Sequence, residues 1–208
     1  MKRFVSLSGL SLLALGFYLA PPAFGQNQTT PAPSGQKQSS ATQTGQNQKS
    51  ATQAGQNQKA LPPEEFVRKA SADNLAEINL GRMVEKQANN ADLKKYGERL
   101  VKDHTKANEE LNQLANRKNF RVAQKMDPKH EMLANQLSKL NGANFDRSFL
   151  KDMVKDHEKA VSMFEAEAKN GTDPDVKAYA AKVLPTLKEH LKIARDLDKK
   201  VLGQGGSR

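Results

Sequence analysis

The chain has 208 residues, enough for one ordinary domain with appendages, and sets 33 basic against 23 acidic side chains for a net charge of +10. It has no Cys, which excludes disulfides, zinc–thiolate sites and cysteine nucleophiles, and no Trp, so its core must be largely aliphatic. Five basic residues precede Glu64, the first acidic one, and the other 28 are interspersed with the 23 acids. That is the pattern of solvated helical faces rather than of a nucleic-acid surface, and the basic-plus-aromatic pattern of single-strand binders is absent as well.

Residues 1–25 read as a secretory signal peptide. Lys2 and Arg3 precede an apolar run from Phe4 to Ala20, and Ala23-Phe24-Gly25 offers a small-x-small cleavage point before Gln26. The run is at the lower limit for spanning a bilayer, so the expectation is a mature chain without a transmembrane segment, exported to the periplasm or secreted. Residues 26–60 form a low-complexity linker. A decamer, Ser40 to Lys49, recurs as Ser50 to Lys59 with nine of ten positions identical. Its Gln, Ser, Thr, Gly and Asn side chains bury too little apolar area to offset the entropy of ordering, so a disordered tether is expected.

From residue 61 to 202 the composition is that of a helical domain. Pro63 opens a first helix running to about Ala88, with Phe66, Ala70, Ile78, Gly81 and Val84 on its buried side. Asn89-Asn90 breaks the chain and Asn90 can cap a second helix, Ala91 to Lys118. Asp127-Pro128 starts a short helix to Leu140, and Asn141-Gly142 ends it. A third long helix runs from Ala143 to Lys169. A fourth follows Asp173-Pro174 to about Leu202, with a kink expected near Pro185. The tail, 203–208, should fray. Four long helices without a strand signal predict an all-α, four-helix bundle. Short breaks make the first pair and the last pair antiparallel. The long crossover between the second and third helices, with its short extra helix, makes those two parallel, which is the ferritin-like arrangement.

One phrase is written twice. Val101-Lys102-Asp103-His104-Thr105-Lys106-Ala107 returns 53 residues later as Val154-Lys155-Asp156-His157-Glu158-Lys159-Ala160, with six of seven positions identical. Each His lies on an apolar stripe: Leu93, Leu100, Ala107, Leu111 and Leu114 for His104, and Phe149, Met153, Ala160, Phe164 and Ala168 for His157. His190 sits likewise among Val183, Leu187, Ala194 and Leu197. These three, with Glu77 on the first helix, fall near the middle of their helices and so share one level of the bundle. Buried polar groups left unpaired cost roughly 1–3 kcal/mol each, so the four must find one another, water or a ligand.

Three readings of this layer stay open. It can be a metal-free polar layer that fixes helix register, a transition-metal site with Glu77, His104, His157 and His190 as ligands, or a pH- or ligand-responsive site. In the metal reading Asp103, Asp156 and Glu189, each directly before one of the histidines, are expected to reach across to a neighbouring helix and hold its imidazole. Val101, Val154 and Leu187 occupy the positions three before the histidines, where carboxylate di-iron bundles carry Glu, so di-iron oxygen chemistry is not supported. His130, at the start of the short helix, is expected to be exposed.

The segments Phe66-Val67-x-Lys69-Ala70-Ser71, Glu77-x-x-Leu80-Gly81, Val101-x-Asp103-His104-x-x-x-Asn108, Phe145-Asp146, Asp156-His157-x-x-x-Val161 and Leu184-Pro185-x-Leu187-x-x-His190-Leu191 resemble the bacterial domain-of-unknown-function 4142 family. The resemblance covers residues 63–197. It implies a ferritin-like bundle and an exported protein, often labelled an outer-membrane one, and it carries no catalytic activity. Three functional expectations follow. The first is a non-enzymatic, stress-associated or binding protein of the cell envelope, the stress association resting on the resemblance alone. The second is a metal store or metal-dependent redox protein that uses the polar layer. The third is an interaction protein whose basic bundle docks on an anionic envelope polymer.

Overall fold

A computed structural model describes residues 59–204. The expected signal peptide, the linker as far as residue 58, and the tail from residue 205 lie outside the described residues. The described chain forms five helices, α1 (Pro63–Gln87), α2 (Ala91–Lys118), α3 (Pro128–Leu137), α4 (Gly142–Asn170) and α5 (Pro174–Gln204), and no strand. Among these residues no helix is long and apolar enough to cross a membrane.

The helix starts are those the sequence encodes. Asn90 accepts from the backbone N–H groups of Asp92 (2.8 Å) and Leu93 (3.1 Å), Asp127 from that of His130 (2.9 Å), and Asp173 from those of Asp175 (3.0 Å) and Val176 (3.1 Å). Each side chain satisfies N–H groups that a helix leaves without an intrahelical partner. Asn119 ends α2 in the left-handed region, at φ 54, and Gly142 takes the same φ where the chain turns into α4. Most side chains resist that conformation; Gly has no Cβ to clash and the short polar side chain of Asn tolerates it. The helix ends differ slightly from expectation. α3 stops at Leu137, with further turn-type backbone bonds from Lys139 N–H to the Gln136 carbonyl (3.2 Å) and from Leu140 N–H to the Leu137 carbonyl (2.9 Å), and α5 continues to Gln204. Pro185 lies inside α5 without interrupting it.

Side-chain pairs along the helices fix the topology. Lys118 on α2 meets Asp173 (2.9 Å) and Asp175 (2.6 Å) at the start of α5, Glu110 meets Lys182 (2.8 Å), and Asp92 meets Lys200 (3.8 Å) near its end. α2 and α5 are therefore antiparallel. Phe66 packs on Phe164, with ring centroids 5.0 Å apart, while Asp146 at the other end of α4 accepts from the backbone N–H groups of Asn89 and Asn90, both at 3.1 Å. So α1 and α4 are antiparallel too, and α2 and α4 run parallel, as the long crossover requires. The α1–α2 pair approaches closely at two glycines. A Cβ on Gly81 would stand 2.9 Å from the Gly97 carbonyl oxygen and 2.8 Å from Val101 Cγ2, and a Cβ on Gly97 would meet Gly81 O at 2.9 Å.

The apolar core comes in two parts. Leu80, Val84, Leu93, Leu100, Phe145, Phe149, Met153, Ala194 and Leu197 belong to one. Phe66, Ala70, Ala107, Leu111, Phe164, Tyr179, Val183 and Leu187 belong to the other. In α1, α2, α4 and α5 alike, the residues between the two clusters are buried and polar: Asn74 and Glu77, His104, His157, and His190. On α1 Phe66, Ala70, Gly81 and Val84 are buried as expected, whereas Ile78 is only half-buried and Leu80 is buried in its stead.

Candidate metal centre

His104, His157 and His190 come from three helices and meet at this polar level. They are 5%, 1% and 0% exposed, which rules out solvation of the rings by bulk water. Their ring centroids are 6.0 Å (His104–His157), 5.3 Å (His104–His190) and 5.5 Å (His157–His190) apart. Each ring offers one nitrogen such that the three lie within 4.8 Å of one another.

The hydrogen bonds decide which nitrogens are free. His104 Nδ1 is 2.9 Å from Asn74 Oδ1, His157 Nδ1 is 3.1 Å from the Met153 carbonyl oxygen, and His190 Nε2 is 2.9 Å from Asp103 Oδ2. All three partners are oxygens that can only accept, so each of these nitrogens carries the proton and donates. The opposite nitrogens, His104 Nε2, His157 Nε2 and His190 Nδ1, are then bare lone pairs, and none of them has a hydrogen-bond partner. Burial lowers the pKa of all three rings, with mutual repulsion adding to it for His104 and His157, and His157 falls to about 4. Near neutral pH the cluster is therefore three uncharged imidazoles with lone pairs available, the state in which imidazole binds a metal.

Of the four expected ligands, the structure brings these three together. Glu77 is set apart from them. It approaches His157 from the Nδ1 side, with Oε1 3.7 Å from that nitrogen, and it does not share the 4.8 Å cluster. Burial pushes its carboxyl up to about 8, and its Oε2 has no partner.

Of the three expected supporting carboxylates, Asp103 crosses from α2 to hold His190 on α5. Glu189 is one step further out. It takes Arg99 Nη2 at 2.7 Å, and Arg99 Nε donates to Asp103 Oδ2 at 3.3 Å. Asp156 pairs elsewhere, with Lys129 (2.8 Å), Lys159 (3.4 Å) and, at 3.5 Å, His130 Nε2. The difference lies in what covers each helix. The α2 face beside His104 abuts α5, whereas the α4 face beside His157 is overlaid by α3.

The same overlay corrects the expectation for His130, which is 7% exposed rather than solvated. It sits between Asp127, whose Oδ2 is 3.1 Å from Nδ1, and Asp156, and these carboxylates together with Asp73 raise its pKa against the effect of burial. Asn74, which orients His104, also escaped the sequence reading. Its spacing of three from Glu77, placing it on the buried face of α1, was the available signal.

A domain of unknown function (DUF4142) has a family model that matches residues 47–197. The chain belongs to this family. Two solved structures share its fold. One is a DUF305 fragment from Deinococcus radiodurans, 16% identical, at a TM-score of 0.60 over 69% of this chain and 99% of that one. The other is CopM in its Cu(II)-bound form, 18% identical, at a TM-score of 0.58 over 68% of this chain and 98% of that one. No curated protein matches the sequence. At these identities the two structures speak for the all-α bundle architecture, so the chemistry of this DUF4142 domain has to be argued from its own residues.

Proposed function

We propose that the protein binds a transition-metal ion between His104, His157 and His190. The observation that carries this reading is the pairing of the three rings: each gives one nitrogen to a hydrogen bond, each keeps the other unpartnered, and one nitrogen of each lies within 4.8 Å of the other two rings'. Three buried, unpaired acceptors cost roughly 1–3 kcal/mol each. Their sum rivals the whole net stability of a domain, about 5–15 kcal/mol. A position that needed only burial would hold an apolar residue, as the levels above and below do.

The donor set suits a borderline ion. Imidazole alone, without thiolate and without a carboxylate in the cluster, favours copper, zinc or nickel over magnesium or calcium, which take oxygen ligands. Among the divalent ions of the first row copper binds such a set most tightly, and the structural likeness to a protein seen with Cu(II) agrees with that choice. An ion bound tetrahedrally at about 2.0–2.1 Å holds its ligands about 3.4 Å apart, so nitrogens already within 4.8 Å close on it by small ring movements. Three protein ligands leave a further position for water or a small ligand. The geometry supports binding, and the reading rests on that.

The test is elemental analysis of the full chain, exported natively and purified without chelator or affinity tag, beside the His104→Ala/His157→Ala variant. Stoichiometric transition metal in the wild type alone supports the reading. Equal metal in both proteins, or none in a folded wild type after exposure to copper, zinc and nickel, refutes it.

A further inference from the structure

A second group of metal-capable side chains stands outside the histidine trio. Asp73 of α1, Asp127 at the head of α3, and His130 of α3 each offer one ligand atom, and the three atoms lie within 4.8 Å of one another. These residues share one cavity of about 230 Å³ with two of the trio, His104 and His157. Its lining includes Asp73, Asp127 and His130 on one side, and Glu77, His104 and His157 on the other. Asp73 and Asp127 are partly exposed whereas His104 and His157 are buried, so the aspartates mark the cavity's outer end.

Two buried groups in this cavity have polar atoms without hydrogen-bond partners. His130 is 7% exposed and its Nδ1 makes no hydrogen bond, although Asp127 Oδ2 stands 3.1 Å away. Glu77, also 7% exposed, lies between the outer group and His157 and leaves Oε2 unpartnered. An acidic cluster that served only the surface would not be backed by a buried imidazole held between Asp127 and Asp156 and by a buried carboxyl with an unpartnered oxygen. Of the local cations only Lys69 pairs with the outer group, through Asp73, and a metal ion there would displace it. Lys129 and Lys159 are bound to Asp156, and Lys69, half-exposed and 3.2 Å from Asp73, can swing into solvent.

We propose that Asp73, Asp127 and His130 form a second, weaker cation site at the mouth of the cavity, and that a divalent transition metal passes through it, by way of Glu77, to the three histidines. Two carboxylates and one imidazole attract a hydrated divalent ion more readily than three neutral rings at the end of a narrow cavity. The neutral rings then bind the dehydrated ion more tightly. The destination rests on the three-histidine reading, but binding at the mouth does not.

The experiment uses Cu(II) and the full chain without a tag, with equilibrium dialysis to count ions and stopped flow to follow loading. The wild type should take up two ions of different affinity. In Asp73→Asn/Asp127→Asn the weaker ion should be lost and the trio should fill about tenfold or more slowly, since charge at a cleft raises association rates by that order. Asn at 127 still caps α3, so the fold is kept. His130→Gln, which leaves both aspartates in place, should slow loading as well. In His104→Ala/His157→Ala the weaker ion should remain. Loading and stoichiometry in both mouth variants equal to the wild type would overturn the mouth site while leaving the trio standing. Loss of the weaker ion together with unchanged tight binding in the trio variant would support the mouth site and sink the trio.

Discussion

The two copies of the Val-Lys-Asp-His phrase put their histidines to the same use and their aspartates to different ones. His104 and His157 both join the buried cluster, and each keeps an unpartnered Nε2. Asp103 crosses to α5 and fixes His190 from 2.9 Å, whereas Asp156 turns to the crossover helix and ties down Lys129 and His130. The residue before an inward His points about 100° round the helix, so the neighbouring element decides what it meets. α2 has α5 on that side and α4 has α3. One copy therefore supports the inner site and the other closes the wall of the cavity. Identical local sequence specifies identical depth, but not identical partners.

Substitutions can break this comparison at several points. The largest effect is expected for His157→Ala, which removes one of the three proposed ligands and should weaken metal binding by more than the roughly 10–100-fold typical of losing an outer partner. Isothermal titration with Cu(II) or Zn(II) would show it. Asp103→Ala removes the acceptor that holds His190 and should cost about 10–100-fold in the same titration. Asp156→Ala, at the matching position of the other copy, should leave the affinity of the trio unchanged. Equal losses in the two aspartate variants would mean that the copies are equivalent after all.

Gly81→Ala probes stability without touching the site. Its Cβ would meet the Gly97 carbonyl and Val101 at under 3 Å, and overpacking of this kind costs about 1–3 kcal/mol in thermal or denaturant unfolding. Metal stoichiometry should not change.

A further effect concerns pH. Burial raises the Glu77 carboxyl from its ordinary value of 4.5 to about 8. Between those values the unfolded chain has lost the proton and the folded chain has kept it, so metal-free stability falls as pH rises through this window. Glu77→Gln, which cannot ionise, should flatten that fall in chemical denaturation run at several pH values. An unchanged slope would show that Glu77 ionises freely in the fold.

The sequence made the helices and the depth of the polar layer legible for one physical reason: both are set by periodicity along a single chain. Leu100, His104, Ala107 and Leu111 are spaced to share a face, and all four are buried. Caps were legible because Asn90, Asp127 and Asp173 act on their own next turn. The outer contacts were not. Which carboxylate meets which ring depends on how helices lie against each other. The burial of His130 depends on where a ten-residue crossover helix settles, which no spacing encodes. Glu77 shows the same limit within the layer, since it has the right depth but comes at His157 from the Nδ1 side.

The central claim is that three imidazoles meet on one ion. X-ray absorption of the Cu(II)-loaded full chain, with one ion per chain and the weaker ion removed by dialysis, counts them directly through the outer-shell scattering of imidazole rings. The account predicts three rings, falling to two in His157→Ala. A first shell of oxygen with one ring or none, unaltered by that substitution, would contradict it.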